Sequence, residues 1–194
     1  MTRKGYMKKS AVSEFKNIRK TGIIAIKLDE DDSLVDAIVT DGKSELIVTT
    51  EMGNALRLKE ETVRPMGRAA RGVTGIRLKQ GDYVCDVRMV FKDADLLVVT
   101  EKGYGKRVAI KNFSVHNRGT LGQKYVKLSD KTGRVADTIL VSKGDQIVII
   151  TSRGMIIKLK VRSVSVMGRG AGGVKLVNLK DPDTVAGVAR VVQE

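Results

Sequence analysis

The sequence predicts an all-β fold of four repeats, each of about 50 residues and each supplying a four-stranded blade, and three observations point that way. Leu28, Leu78, Leu128 and Leu179 recur at intervals of 50, 50 and 51 residues, so one period runs the length of the chain. Gly53, Gly103 and Gly154 each follow an apolar, β-rich run that ends in threonine: Leu46 to Thr50, Leu96 to Thr100 and Ile147 to Thr151. Segments such as Ser33 to Val39 and Tyr83 to Val90 mix β-branched residues with the period-two alternation of a half-buried strand. No stretch carries the spacing of a 12-residue amphipathic helix.

Within a repeat the elements follow in a fixed order. The threonine-ended run is a first strand, the glycine supplies the positive φ of a tight hairpin turn, and Asn54 to Leu58, Tyr104 to Val108 and Met155 to Ile157 return as a second strand. A glycine-bearing loop comes next. In Val63-Arg64-Pro65-Met66-Gly67-Arg68 the arginine is followed four residues later by Gly72 and six after that by Leu78. Met167-Gly168-Arg169 leads to Gly173 and Leu179 by the same two spacings, as Arg118 does to Gly122 and Leu128; Arg19, Gly22 and Leu28 form a shorter version. The apolar residues after this second glycine are a third strand, and the segment after an aspartate-bearing turn, as at Asp82 and Asp183, is a fourth. Gly5 opens the first repeat without an apolar run before it, so the chain is expected to begin part-way through a repeat. Repeats spanning approximately 1–50, 51–100, 101–150 and 151–194 are expected to make a single domain, because so short a unit cannot bury its apolar face alone. Such units read as blades set radially or as a solenoid of sheets.

Aromatic residues make up 4% of the chain and tryptophan is absent, so the core must be built from Val, Ile and Leu. With 36 basic against 22 acidic side chains the net charge is +14, which points to a polyanionic partner, nucleic acid before membrane. The charge is segregated within the period: residues 1–28, 51–78, 101–128 and 151–179 carry +22 and the remainder −8. Blades set around an axis would gather that charge into one basic belt. Cys85 and His116 are each alone, which leaves no disulfide framework and no cysteine or histidine cluster for a metal, and argues against a paired Ser-His or Cys-His nucleophile. No apolar run approaches the roughly 20 residues of a bilayer span, and Met1-Thr2-Arg3-Lys4 leads into no signal-peptide core, so a soluble, cytoplasmic protein is expected.

The candidate polyanion contacts fall into two groups. Lys8, Lys9, Arg57, Lys106, Arg107, Lys158 and Lys160 follow the turn glycine on or near the second hairpin strand. Lys16, Arg19, Lys20, Arg64, Arg68, Arg71, Lys111, Arg118, Lys124, Arg162 and Arg169 lie in the glycine-bearing loops. Lysines would act as mobile point charges for phosphate and arginines as bidentate forks, while neighbouring glycines admit phosphate to the backbone N–H groups. Gly168-Arg169-Gly170-Ala171-Gly172-Gly173 lacks the Lys-Ser/Thr ending of a nucleotide-binding loop, and Asp29-Glu30-Asp31-Asp32 lacks EF-hand spacing, so no cofactor or metal is expected. Without a recognition helix or a pattern of stacking aromatics, the shape and backbone of a nucleic acid should matter more than its bases.

At these residues the chain resembles the C-terminal domain of the DNA gyrase A subunit, with its counterpart in topoisomerase IV a close second. Gly5-Tyr6-Met7-Lys8-Lys9-Ser10, Arg19-Lys20-Thr21-Gly22, Val63-Arg64-Pro65-Met66-Gly67-Arg68, Gly103-Tyr104-Gly105-Lys106-Arg107 and Ser165-Val166-Met167-Gly168-Arg169 carry the resemblance through all four repeats. It implies a β-pinwheel, a propeller-like ring in which neighbouring blades exchange a strand and duplex DNA wraps the basic outer edge. It also implies a non-enzymatic piece of a larger polypeptide, partnered by the rest of the gyrase A subunit and the ATPase B subunit. The chain departs from that family in having four repeats where about six blades are usual, and in lacking the Gln-Arg-Arg-Gly-Gly-Lys-Gly box, of which Asn117-Arg118-Gly119-Thr120-Leu121-Gly122-Gln123-Lys124 is a partial echo. A scaffold for an acidic protein and an RNA-binding domain are the alternatives that the charge leaves open.

Overall fold

The computed structural model describes residues 1–18 and 20–191. Among them the strands are β1 (Tyr6–Met7), β2 (Glu45–Thr50), β3 (Asn54–Lys59), β4 (Val73–Thr74), β5 (Val84–Met89), β6 (Asp95–Thr100) and β7 (Tyr104–Ala109). They continue with β8 (Gln123–Lys124), β9 (Val135–Val141), β10 (Gln146–Thr151), β11 (Ile156–Lys160), β12 (Val174–Lys175) and β13 (Val185–Val191). Among the described residues, helical structure is confined to single 3₁₀ turns such as Val12–Phe15 and Glu60–Thr62.

Each of the first three blades is assembled from two repeats. The second is ordered β5-β2-β3-β8 and the third β9-β6-β7-β12, all neighbours antiparallel. A hairpin and the long strand of its own repeat supply three strands, and the short fourth strand comes from the glycine loop of the following repeat. Ala55 pairs with Gln123 and Gly105 with Val174 in this exchange, and Met7 pairs with Val73 in the first blade. The outer blades are smaller: the first holds β1 and β4 with an isolated Thr2 to Leu34 bridge, and the fourth is the three-stranded β11-β10-β13.

The expected strand from Ser33 to Val39 therefore forms only at Leu34. Its counterparts β5, β9 and β13 each lie along the run that ends in Thr50, Thr100 or Thr151. Thr2 occupies the matching place opposite Leu34, and Val39 is 79% exposed.

The core lies between blades as three layers, and strand alternation assigns side chains to them. Leu46 and Val48 of β2 face the first blade with Met7, Val63 and Ile76, while Ile47 faces the third with Leu96, Val98 and Val108. Leu97 and Val99 of β6 point the other way, onto Ile147, Ile149 and Val161 of the fourth. Central strands are consequently apolar on both faces, and truncating Leu97 to alanine should cost about 2–5 kcal/mol.

The threonine that ends each first strand closes the turn. Thr2, Thr50, Thr100 and Thr151 accept, through Oγ1, the N–H of Tyr6, Asn54, Tyr104 and Met155 at 3.1 to 3.2 Å. Asp82 then accepts the Thr50 hydroxyl at 2.8 Å and the Met52 N–H at 2.9 Å, which ties the aspartate turn to the hairpin.

Candidate nucleic-acid interface

Basic residues immediately after the turn glycine are largely consumed by the fold. The position three past the glycine is Lys8, Leu56, Lys106 and Ile157 in the four repeats, a register shared by cations and core aliphatics. Lys106 is 0% exposed, and its ammonium donates to the carbonyls of Gly168 at 2.7 Å and Arg169 at 3.1 Å. Burial pulls its pKa down to about 8. Lys8 donates likewise to the carbonyls of Gly67 and Arg68 and to that of Ala25, and burial also lowers its pKa. These lysines hold the glycine-arginine loop of a following blade by its backbone.

One residue further along, Lys9, Arg57 and Arg107 grip the 3₁₀ turn that follows the next hairpin. Lys9 donates to the Glu60 carbonyl at 3.1 Å, and Arg57 to those of Ile110 and Phe113 at 3.1 and 3.2 Å. Arg107 donates to the Val164 carbonyl at 2.8 Å. Glu45 neutralises Arg57 at 2.6 Å and Asp95 neutralises Arg107 at 2.7 Å.

The loop cations are placed differently. Lys16, Lys20, Arg64, Arg71, Lys111, Arg118, Lys124 and Arg162 are exposed and Arg68 and Arg169 half-buried, while Lys158 and Lys160 are exposed on β11. Arg71 stacks its guanidinium 3.9 Å from the Tyr6 ring centre and pairs with Asp29 at 2.5 Å. Arg118 donates to the carbonyls of Thr62 and Thr74 at 3.1 and 3.2 Å, which fixes it across the seam between two repeats. Arg19 lies outside the described residues.

Backbone hydrogen bonds join the four loops in series. Lys27 N–H donates to the Ala70 carbonyl at 3.2 Å, Arg77 to Thr120 at 2.8 Å and Lys127 to Ala171 at 3.2 Å, each at the same place in the period. The glycine-arginine loops therefore form one continuous edge across the blades. Lys27, Arg77 and Lys127 are themselves exposed cations on that edge, and they are missing from the contacts expected of the sequence. The signal was present, since each stands one residue before the anchoring leucine, 50 residues from the next.

Among the described residues no three His, Cys, Asp or Glu side chains gather as a metal site, and no helix is long and apolar enough to cross a membrane. Cys85 packs against the core, and burial pushes its thiol pKa up.

A strand-exchanging ring segment with a cationic loop edge is a β-pinwheel of the propeller class. A family model described as DNA gyrase C-terminal domain, beta-propeller, matches residues 1–41, 44–90, 94–142 and 145–191, one match per repeat, and the chain belongs to that family. It is 47% identical to the DNA gyrase A subunit of Clostridium acetobutylicum over 98% of this chain and 23% of that protein. With the DNA gyrase A subunit of Haloquadratum walsbyi it shares 41% identity over 97% of this chain and 22% of that protein. The chain thus spans less than a quarter of these relatives. A solved DNA gyrase A C-terminal domain superposes with a TM-score of 0.90 at 30% identity, covering 99% of this chain and 64% of that one. A crystal structure of the C-terminal domain of DNA topoisomerase IV superposes with a TM-score of 0.93 at 29% identity, covering 98% and 60%.

Proposed function

We propose that this chain is a non-enzymatic DNA-binding domain that bends duplex DNA around its loop edge. The observation that carries the reading is the series of hydrogen bonds from Lys27, Arg77 and Lys127, which aligns four exposed cationic loops along one path. Phosphate is its ligand, contacted by Lys27, Arg77 and Lys127, by Lys16, Lys20, Arg64, Arg68, Arg71, Lys111, Arg118, Lys124, Arg162 and Arg169, and by Lys158 and Lys160 at the fourth blade. Lys8, Lys9, Arg57, Lys106 and Arg107 serve it by positioning the loops. Contacts to phosphate carry no base information, so binding is largely independent of sequence. Bending costs a few kcal/mol, which many phosphate contacts offset.

Family membership supports a further step. In a parent type II topoisomerase, with the rest of the gyrase A subunit and the ATP-driven B subunit, the domain would lead one DNA segment toward strand passage with a fixed hand, in the cytoplasm and on the nucleoid. The four repeats would act as one domain. The corresponding domain of topoisomerase IV is the second reading, favoured by the TM-score of 0.93.

The experiment is binding to duplexes of about 15 to 60 base pairs labelled at both ends, at two salt concentrations. Affinity that grows with length and falls with salt, with the ends drawn together, supports bending by this chain alone. Salt-sensitive binding without end approach reduces the role to holding DNA. Absence of binding favours a scaffold for an acidic protein.

A further inference from the structure

Three apolar side chains stand in solvent along the cationic edge. Pro65, Val115 and Val166 occupy one position of the period, 50 and 51 residues apart, and all three are exposed, Val115 by 40% and Val166 by 53%. Val115 lies on the third loop, which is bonded to the second through Arg77 and Thr120 and to the fourth through Lys127 and Ala171, so its exposure belongs to the interior of the edge. A single apolar residue in water needs no explanation. One that recurs in three successive loops, directly after the polar Arg64, Ser114 and Ser165, does.

The row is held rigidly. Each member bridges in parallel to the cationic residue of the preceding hairpin strand, Pro65 to Lys9, Val115 to Arg57 and Val166 to Arg107. The next residue locks it in place: the N–H groups of Met66, His116 and Met167 donate to the carbonyls of Lys9, Arg57 and Arg107, each at 2.8 Å. Valine and proline have little side-chain freedom to lose, so a ligand that covers them orders almost nothing. Each also stands between two cations of its own loop: Arg64 and Arg68 around Pro65, Lys111 and Arg118 around Val115, Arg162 and Arg169 around Val166.

We propose that this row meets the deoxyribose of duplex DNA between the phosphates held by the flanking cations, and that it gives the edge a preference for DNA over RNA. The proposal rests on the phosphate-binding reading above and adds to it a contact that carries no charge. A nucleic-acid backbone alternates phosphate with sugar, and cation, apolar side chain, cation is the complementary order. Deoxyribose offers C–H surface to a valine. Ribose would place its 2′-hydroxyl there, where the side chains of Val115 and Val166 can neither donate nor accept a hydrogen bond.

The test measures binding of the unaltered chain, Val115→Ala/Val166→Ala and Val115→Thr/Val166→Thr to one duplex of about 40 base pairs, made as DNA and as RNA, over a range of salt. Both pairs of substitutions keep every charge, and thermal unfolding checks that each variant is folded. The alanine pair should bind DNA about tenfold more weakly at every salt concentration, with the slope of log K against log salt unchanged, because methyl groups and not ion pairs are lost. The threonine pair should narrow the ratio of DNA to RNA affinity several-fold, because threonine keeps the shape of valine and can partner a 2′-hydroxyl. A preference set by helix shape alone would be the same in that variant. Met89→Ala, comparably exposed but on β5 at the opposite edge of its sheet, should leave both affinities unchanged. Unaltered DNA affinity in the alanine pair, an unaltered ratio in the threonine pair, or an equal loss in Met89→Ala would overturn the sugar contact and leave the phosphate edge standing. A slope near zero for the unaltered chain would instead remove the phosphate edge, and the sugar contact with it.

Discussion

Lys106 donates from a fully buried strand position to the carbonyl oxygen of Gly168, 2.7 Å away on the loop of the next blade. A cation that could have faced the solvent is spent on the backbone of the loop that presents Arg169. Lys106→Met should keep the aliphatic packing and leave the carbonyls of Gly168 and Arg169 without their donor, at a cost of about 1–3 kcal/mol. Hydrogen exchange should quicken at Met167, whose N–H donates to the Arg107 carbonyl on β7, and at Ala171, whose N–H donates to the Gly168 carbonyl within the loop. Unchanged protection there would show that the lysine does not hold the loop.

Asp86 provides a pH test. Burial pushes its pKa up to about 7 against the pull of Arg88, whose Nε lies 2.6 Å from Oδ2. The folded protein therefore keeps a proton that the unfolded chain releases near 3.8, and Asp86's contribution to stability falls as pH rises from about 4 to about 7. At its steepest this slope is about 1.4 kcal/mol per pH unit. Denaturant unfolding of Asp86→Asn should show a flatter pH profile than the unaltered protein across that window and a relative gain above pH 7. Parallel profiles would contradict the assignment.

Strand exchange itself can be probed at Gly122, where a Cβ would stand 2.4 Å from the Ala55 carbonyl at a φ of +69°. Gly122→Ala should destabilise by more than about 1 kcal/mol, because neither the backbone angle nor the neighbouring strand can yield. Gly67→Ala, with nothing within 4 Å, should stay within about 0.5 kcal/mol of the parent. Equal effects would mean that the loop strand does not seat as described.

The period, the hairpins and their turn glycines were legible because each is written locally: a β-branched run, a threonine, a glycine three residues on. Partner choice was not. Val73 pairs with Met7, far back along the chain, and nothing in the alternation of either segment names the other; only the family resemblance implied an exchange. The strand expected at Ser33 to Val39 did not form: alternation alone suggested it, but only Leu34 bridges, to Thr2.

At the candidate interface, charge counted along the chain could not separate cations that serve the fold from those that face the solvent. Lys106 stands where other repeats place Leu56 and Ile157, and that substitution pattern was the available sign of burial. Lys27, Arg77 and Lys127 stood beside the anchoring leucines, and only the bonds to Ala70, Thr120 and Ala171 revealed that they lie along the joined loops.

The most direct measurement is the salt dependence of binding to a duplex long enough to follow all four loops, for this chain and for Lys27→Ala/Arg77→Ala/Lys127→Ala. If about eight phosphates are neutralised, log K should fall against log salt with a slope near −7, and removal of three cations should bring it to about −4 with folding stability little changed. A slope near zero, or one that the triple substitution leaves unaltered, would contradict a phosphate-binding edge running along these loops.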